Sequence, residues 1–181
     1  RENLALRQLA ESVRMDGGAF VAPWWQSPAL AYWSGQPGVA GSSHQSLPGT
    51  VFASQVFLES DSNKAWKALR ERGVRWVVAY APEWVVPVSA TILGQPAKVQ
   101  ETLVYRLFSR PHSAPAGFRL QEGPQNRLPY FRLFEVVSTE PEGASESSGG
   151  RGMNESEKLD QGAATESPGA DSRLRNPGAS H

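Results

Sequence analysis

Asp61-Ser62-Asn63-Lys64-Ala65-Trp66-Lys67-Ala68-Leu69-Arg70-Glu71-Arg72-Gly73-Val74-Arg75-Trp76-Val77-Val78-Ala79-Tyr80 reads as a helix, a glycine stop and a strand, and this succession sets the fold class. Asp61 or Ser62 is placed to cap the helix, because either side chain can accept from the free amides of a first turn. Ala65, Trp66 and Leu69 recur at the spacing of one helical face. Gly73 stands just past the last helical residue, where a left-handed backbone closes many helices. Val74 to Tyr80 is apolar at nearly every position, with Arg75 near its start. A strand apolar on both faces is expected where helices cover both sides of parallel strands, so the unit is the second half of a βαβ crossover.

Upstream, Leu6, Leu9, Ala10 and Val13 recur at helical spacing, and Gly17-Gly18 ends that helix. Ala19-Phe20-Val21-Ala22 is a short apolar strand stopped by Pro23. Residues 27–34 form a second helix, with Ser27 as N-cap, Pro28 in its first turn and Gly35 as its stop. Gly38-Val39-Ala40-Gly41 reads as a very short strand, and Ser42 to Gly49 as a loop.

Downstream of Pro82 the pattern weakens. Leu103, Val104, Leu107 and Phe108 fit a helix ending before Pro111. Phe118-Arg119-Leu120 and Tyr130 to Val137 are expected to pair antiparallel and close the sheet, with Arg132 and Glu135 leaving one face of the second strand wet. From Ser138 onward Glu, Ser, Gly and Pro dominate. Such a segment buries too little apolar surface to offset roughly 1–2 kcal/mol of backbone ordering per residue, so residues 138–181 are expected to be a disordered tail. The sequence thus predicts an α/β domain over residues 1–137: a small, mostly parallel sheet flanked by helices in two or three layers, with antiparallel closing strands.

Bulk properties exclude several functions. The 181 residues carry a formal net charge of +0, which gives a polyanion nothing to steer toward, so nucleic acid is not expected as a partner. Cysteine is absent, which removes disulfides, thiolate chemistry and cysteine-type zinc sites. No stretch reaches the roughly 18 apolar residues of a membrane span. The chain opens on Arg1 inside a helical pattern, and the expectation is a piece of a longer protein whose membrane region lies upstream.

No complete catalytic set is legible. Ser42, Ser43, His44 and Ser46 with Asp61 supply the residue types of a hydrolase triad, but the G-x-S-x-G elbow is missing. The loop does follow a short strand, where open α/β sheets bind ligands. His44 and His112 have no carboxylate at ligand spacing, so no metal site is expected in this chain. Gly35, Gly38 and Gly41 make G-x-x-G-x-x-G, which is not the dinucleotide fingerprint. Arg70, Arg72 and Arg75 with Glu71 read as a solvated helix end, and Trp66, Trp76 and Trp84 as core.

Pro23-Trp24-Trp25-Gln26 is the stretch that points to a site. Two consecutive indoles in extended backbone face opposite ways, so one of them is expected to look into a cleft or toward a partner. The order of apolar strand, Pro23, Trp24-Trp25, helix, Gly38-Val39-Ala40-Gly41 and polar loop resembles the start of the soluble C-terminal domain of STT3-type oligosaccharyltransferases. It is also similar to related bacterial membrane glycosyltransferases of the GT-C superfamily. The family motif is W-W-D-Y-G, which contacts the hydroxyl of the acceptor's Ser or Thr. Trp24 and Trp25 match its tryptophans; Gln26 replaces the aspartate, and Ser27 and Pro28 replace the tyrosine and glycine.

The resemblance implies an extracytoplasmic C-terminal domain of a polytopic membrane glycosyltransferase at a bacterial inner membrane. Such enzymes act on a lipid-linked sugar donor, with catalytic carboxylates and a divalent metal in the membrane region. This piece would then hold no cofactor and no catalytic residue. Its partners would be its own N-terminal transmembrane region and a glycan or peptide acceptor, met by Trp24, Trp25 and Gln26 with Ser42, Ser43 and His44 nearby. The alternative is a non-enzymatic α/β module that binds a ligand or a protein through the same tryptophans.

Overall fold

The computed structural model describes residues 1–41, 46–123 and 130–138. Among the described residues, six α-helices and four strands follow one another as α1 (Glu2–Asp16), β1 (Ala19–Val21), α2 (Ser27–Ser34), α3 (Leu47–Leu58), α4 (Ser62–Glu71), β2 (Val74–Tyr80), α5 (Pro82–Leu93), α6 (Leu103–Ser109), β3 (Phe118–Leu120) and β4 (Phe131–Val136). The sheet order is β1-β2-β4-β3. β1 and β2 are parallel, with Val21 opposite Val77, and a parallel bridge from Phe20 to Gly38 extends this half. β4 pairs antiparallel with β2 and with β3 and closes the other half.

Side-chain alternation along the strands sorts the core into two layers. Phe20, Ala22, Trp76, Val78, Phe131 and Leu133 meet α1 and α2 through Leu6, Leu9, Val13 and Leu30. Val21, Val77, Ala79, Phe134 and Val136 face the other way, toward α3, α4, α5 and α6. The result is a three-layer α/β domain, and β2 lies buried between both layers as its sequence requires.

The α4–β2 unit follows the sequence closely. Asp61 is the cap: its Oδ1 accepts from the amides of Asn63 and Lys64 at 2.9 and 3.2 Å. Ala65, Trp66 and Leu69 are buried, and the Trp66 indole donates to the Val137 carbonyl at 2.9 Å. Gly73 closes the helix at φ 66°.

Other expectations are corrected. Gln26, not Ser27, occupies the N-cap of α2, and the Ser27 hydroxyl turns back to the carbonyls of Ala22 and Pro23 at 3.3 and 3.2 Å. The segment from Leu47 read as loop is the first turn of α3, and α5 occupies the stretch where the pattern weakened. Trp84 is not core. It sits in the first turn of α5, on the side away from buried Val85, Val86 and Ser89, and is 64% exposed. Arg132 and Glu135, three residues apart on a strand, lie on opposite faces; Arg132 stacks on Phe108 with its guanidinium carbon 5.3 Å from the ring centroid. The segment expected to be a tail lies outside the described residues beyond Ser138, and so do the loop residues Ser42, Ser43 and His44.

Candidate functional site

The carboxyl ends of the parallel pair carry the Trp24–Trp25 turn after β1 and the Tyr80-Ala81-Pro82 entry to α5 after β2. Pro23 has no amide hydrogen to continue a ladder. Its carbonyl instead accepts from the amides of Gln26 and Ser27 at 2.9 and 3.0 Å, so the backbone turns rather than extends. The two indoles therefore do not point to opposite faces. They meet edge to face, centroids 5.9 Å apart and planes at 89°. Trp25 is half-buried, packs on the core and lies edge-on to Tyr80 at 6.4 Å. Trp24 stands outside it, 37% exposed.

The structure turns Gln26 inward. It is 6% exposed, and its amide nitrogen donates to Glu2 Oε1 at the start of α1 at 3.1 Å. Tyr80 shares that surrounding. Burial raises its phenol above the usual tyrosine range first, and the neighbouring carboxylate of Glu2 raises it further, followed by Glu83 and Tyr130. Glu2 thus stands between Gln26 and Tyr80.

Beside the indoles lies a narrow cleft lined by Pro23, Trp24, Trp25, Thr50, Ser54, Val85 and Ser89 among others. Its volume is about 10 Å³, room for a single water, hydroxyl or methyl group and far too small for a sugar ring. A larger ligand can only lie along the rim that Trp24 forms. The hydroxyls of Thr50 and Ser54 on α3 and of Ser89 on α5 were not singled out from the sequence. The signal was present as hydroxyls four residues apart on one helix, Thr50 and Ser54, but it means little until α3 is recognised as a helix.

Two wider, open clefts have volumes of about 440 and 490 Å³, the first on the other face of α3 and the second beyond its last residue, Leu58. The first is lined by Phe52, Gln55, Val56 and the Glu59–Lys64 ion pair, the second by Gln95, Lys98, Glu101 and Thr102 among others. Both also include Ser60. Among the described residues no three metal-capable side chains converge, and no helix is long and apolar enough to cross a membrane. The geometry defines an aromatic contact edge at the carboxyl ends of the parallel strands.

The chain is thus a three-layer α/β domain with an indole pair at the ends of its parallel strands. The same fold occurs in the C-terminal globular domain of oligosaccharyltransferase from Archaeoglobus fulgidus. One such structure, AfAglB-S2, matches with a TM-score of 0.55 at 22% identity, over 74% of this chain and 95% of its own. A second, from the same organism, matches with a TM-score of 0.53 at 20% identity, over 77% of this chain and 98% of its own. No protein-family model matches the chain, and no curated protein matches its sequence.

Proposed function

We propose that this chain is the extracytoplasmic C-terminal domain of a polytopic bacterial membrane glycosyltransferase that uses a lipid-linked sugar donor, and that it helps to position the acceptor. It is not catalytic alone; catalytic carboxylates and a divalent metal would belong to the membrane region, which is its obligatory partner. The observation that carries the reading is Trp24, a solvent-facing indole braced edge-on by Trp25 at the carboxyl ends of the parallel strands. The likeness in fold to oligosaccharyltransferase C-terminal domains supports it. A rigid, half-exposed aromatic is the type of residue that anchors a ligand at low entropic cost. The one-water cleft beside it suits a small terminal group of the acceptor, with the rest of the acceptor along the rim.

Trp24→Ala in the full-length protein tests this. Loss of an aromatic anchor is worth roughly 1–3 kcal/mol, so transfer to the acceptor should fall about 10- to 100-fold while donor binding is retained. Unchanged transfer would refute the role assigned to this edge.

A further inference from the structure

One carboxylate reaches the Trp24–Trp25 turn by two routes. Glu2 belongs to the first turn of α1, which packs on the sheet face opposite α3. Its Oε1 accepts from the Gln26 amide, the residue that follows the indole pair, at 3.1 Å. Its carboxylate also lies beside Tyr80, the last residue of β2, close enough to raise that phenol. The Tyr80 ring lies edge-on to Trp25 at 79°, and Trp25 lies edge-on to Trp24 at 89°. One path runs through the backbone at Gln26 and the other through stacked rings, and both end at the exposed indole.

The Gln26 side chain has no other hydrogen-bond partner among the described residues. Its carbonyl Oε1 is buried without a hydrogen-bond partner. Only Glu2 therefore dictates which way this amide points, because the flipped amide would set two acceptor oxygens against each other. The bond from Gln26 is charge-assisted, and such bonds are the strong ones.

We propose that Glu2 is the positioning residue of the Trp24–Trp25 turn, tying the start of α1 to the carboxyl ends of β1 and β2 and so holding Trp24 at the rim. The inference rests on the reading of Trp24 as a contact edge. Glu2 acts through Gln26 and Tyr80 and need not touch an acceptor. Without it, the backbone bonds to the Pro23 carbonyl still form the turn and Trp25 still packs on the core, but the tie that holds the pitch of the pair to α1 is gone. α1 stays docked through Leu6, Leu9 and Val13.

The test uses the indole N–H signals of the ¹⁵N-labelled chain in Glu2→Ala, Glu2→Gln and Tyr80→Phe. Trp66 and Trp76 donate to the carbonyls of Val137 and Gly17, so their signals report whether the fold is intact. Glu2→Ala should shift the Trp24 and Trp25 signals and speed Trp24 indole exchange with solvent severalfold, with Trp66 and Trp76 unmoved. Glu2→Gln keeps an acceptor oxygen and should restore part of the pattern; Tyr80→Phe should move Trp25 more than Trp24. In the full-length protein, Glu2→Ala should raise KM for the acceptor about tenfold with kcat nearly constant.

Unmoved Trp24 and Trp25 signals in a folded Glu2→Ala chain overturn the inference. It is equally overturned if Trp24→Ala impairs transfer while Glu2→Ala leaves KM unchanged. If the indoles move but neither variant alters transfer, Glu2 positions the turn and the acceptor role of the edge is what fails.

Discussion

Gln26 occupies a buried position that has room for a donor and none for a second anion. Its amide faces the Glu2 carboxylate, and its own carbonyl finds no partner. Gln26→Asp, which would restore the W-W-D order of the oligosaccharyltransferases this stretch resembles, exchanges a donor for a charge beside an existing charge. Burying an unpaired carboxylate next to a like charge is costly, so the variant should lose about 2 kcal/mol of stability in urea at pH 7. Part of the loss should return in Glu2→Gln/Gln26→Asp, where the charge beside the new carboxylate is gone. A variant as stable as the parent at pH 7 would show that Glu2 does not face this side chain in solution. The sequence marked Trp24 and Trp25 as a site because adjacent indoles are hard to bury together. It did not reveal that Gln26 points inward, since the partner lies 24 positions away on another helix. Trp84 was misplaced for a related reason: which way it faces depends on a helix that its own sequence hides.

Among the elements, α3 and α5 were the hard ones, and their composition explains why. Leu47–Leu58 and Pro82–Leu93 are apolar on most sides, with Pro48 in the first turn of one and Pro87 inside the other. Without a polar stripe the 3.6-residue period has nothing to stand against, and a proline reads as a break. By contrast α4 and β2 were fully legible, because a capping Asp61, a clean apolar face and Gly73 agree with one another. The docking of α3 depends on Gly49. A Cβ there would sit 1.7 Å from the Val39 carbonyl oxygen and 2.8 Å from its carbon, and a backbone carbonyl cannot give way as a flexible side chain does. Gly49→Ala should therefore push the first turn of α3 off Val39 and Ala40, costing about 3 kcal/mol. Gly73→Ala supplies the contrast: nothing lies within 4 Å and only its φ of 66° is strained, so about 1 kcal/mol is expected. Urea midpoints at matched m-values separate the two, and a Gly49→Ala midpoint equal to that of Gly73→Ala would mean that α3 is not packed this tightly.

At the level of the whole molecule, a single acidic group joins the two halves of the sheet. Glu135 on β4 lies opposite Trp76 of β2 on one side and Arg119 of β3 on the other. Its Oε1 meets Arg75 of β2 at 3.3 Å, and its Oε2 meets Arg119 and the Gln121 amide. Arg75 also donates to the carbonyl of Asp16 at the end of α1, so the clamp reaches from the closing strands to the outer helix layer. Burial pushes the Glu135 carboxyl up, but the hydrogen bonds and charges of Arg119 and Arg75 outweigh it, and the net shift is downward. A carboxyl held below its unfolded value stabilises the fold above that value, and the contribution is lost as pH falls through the depressed one. Ordinary glutamate titrates near about 4.3, so the contribution is whole at neutral pH and fades only below that point. Arg119 stands largely in water and Arg75 partly so, which screens the attraction to about 1 kcal/mol. Glu135→Gln should cost that amount at pH 7, and its stability curve should converge with the parent's as pH falls toward 3. Glu59, lowered in the same sense by the Asp61 amide and Lys64 against the opposing effect of burial, remains in the variant. The acid slope should therefore become shallower without vanishing. Thermal or urea unfolding from pH 7 to pH 3 follows both curves, and a gap that stays constant across this range would mean that packing, not charge, is what Glu135 contributes.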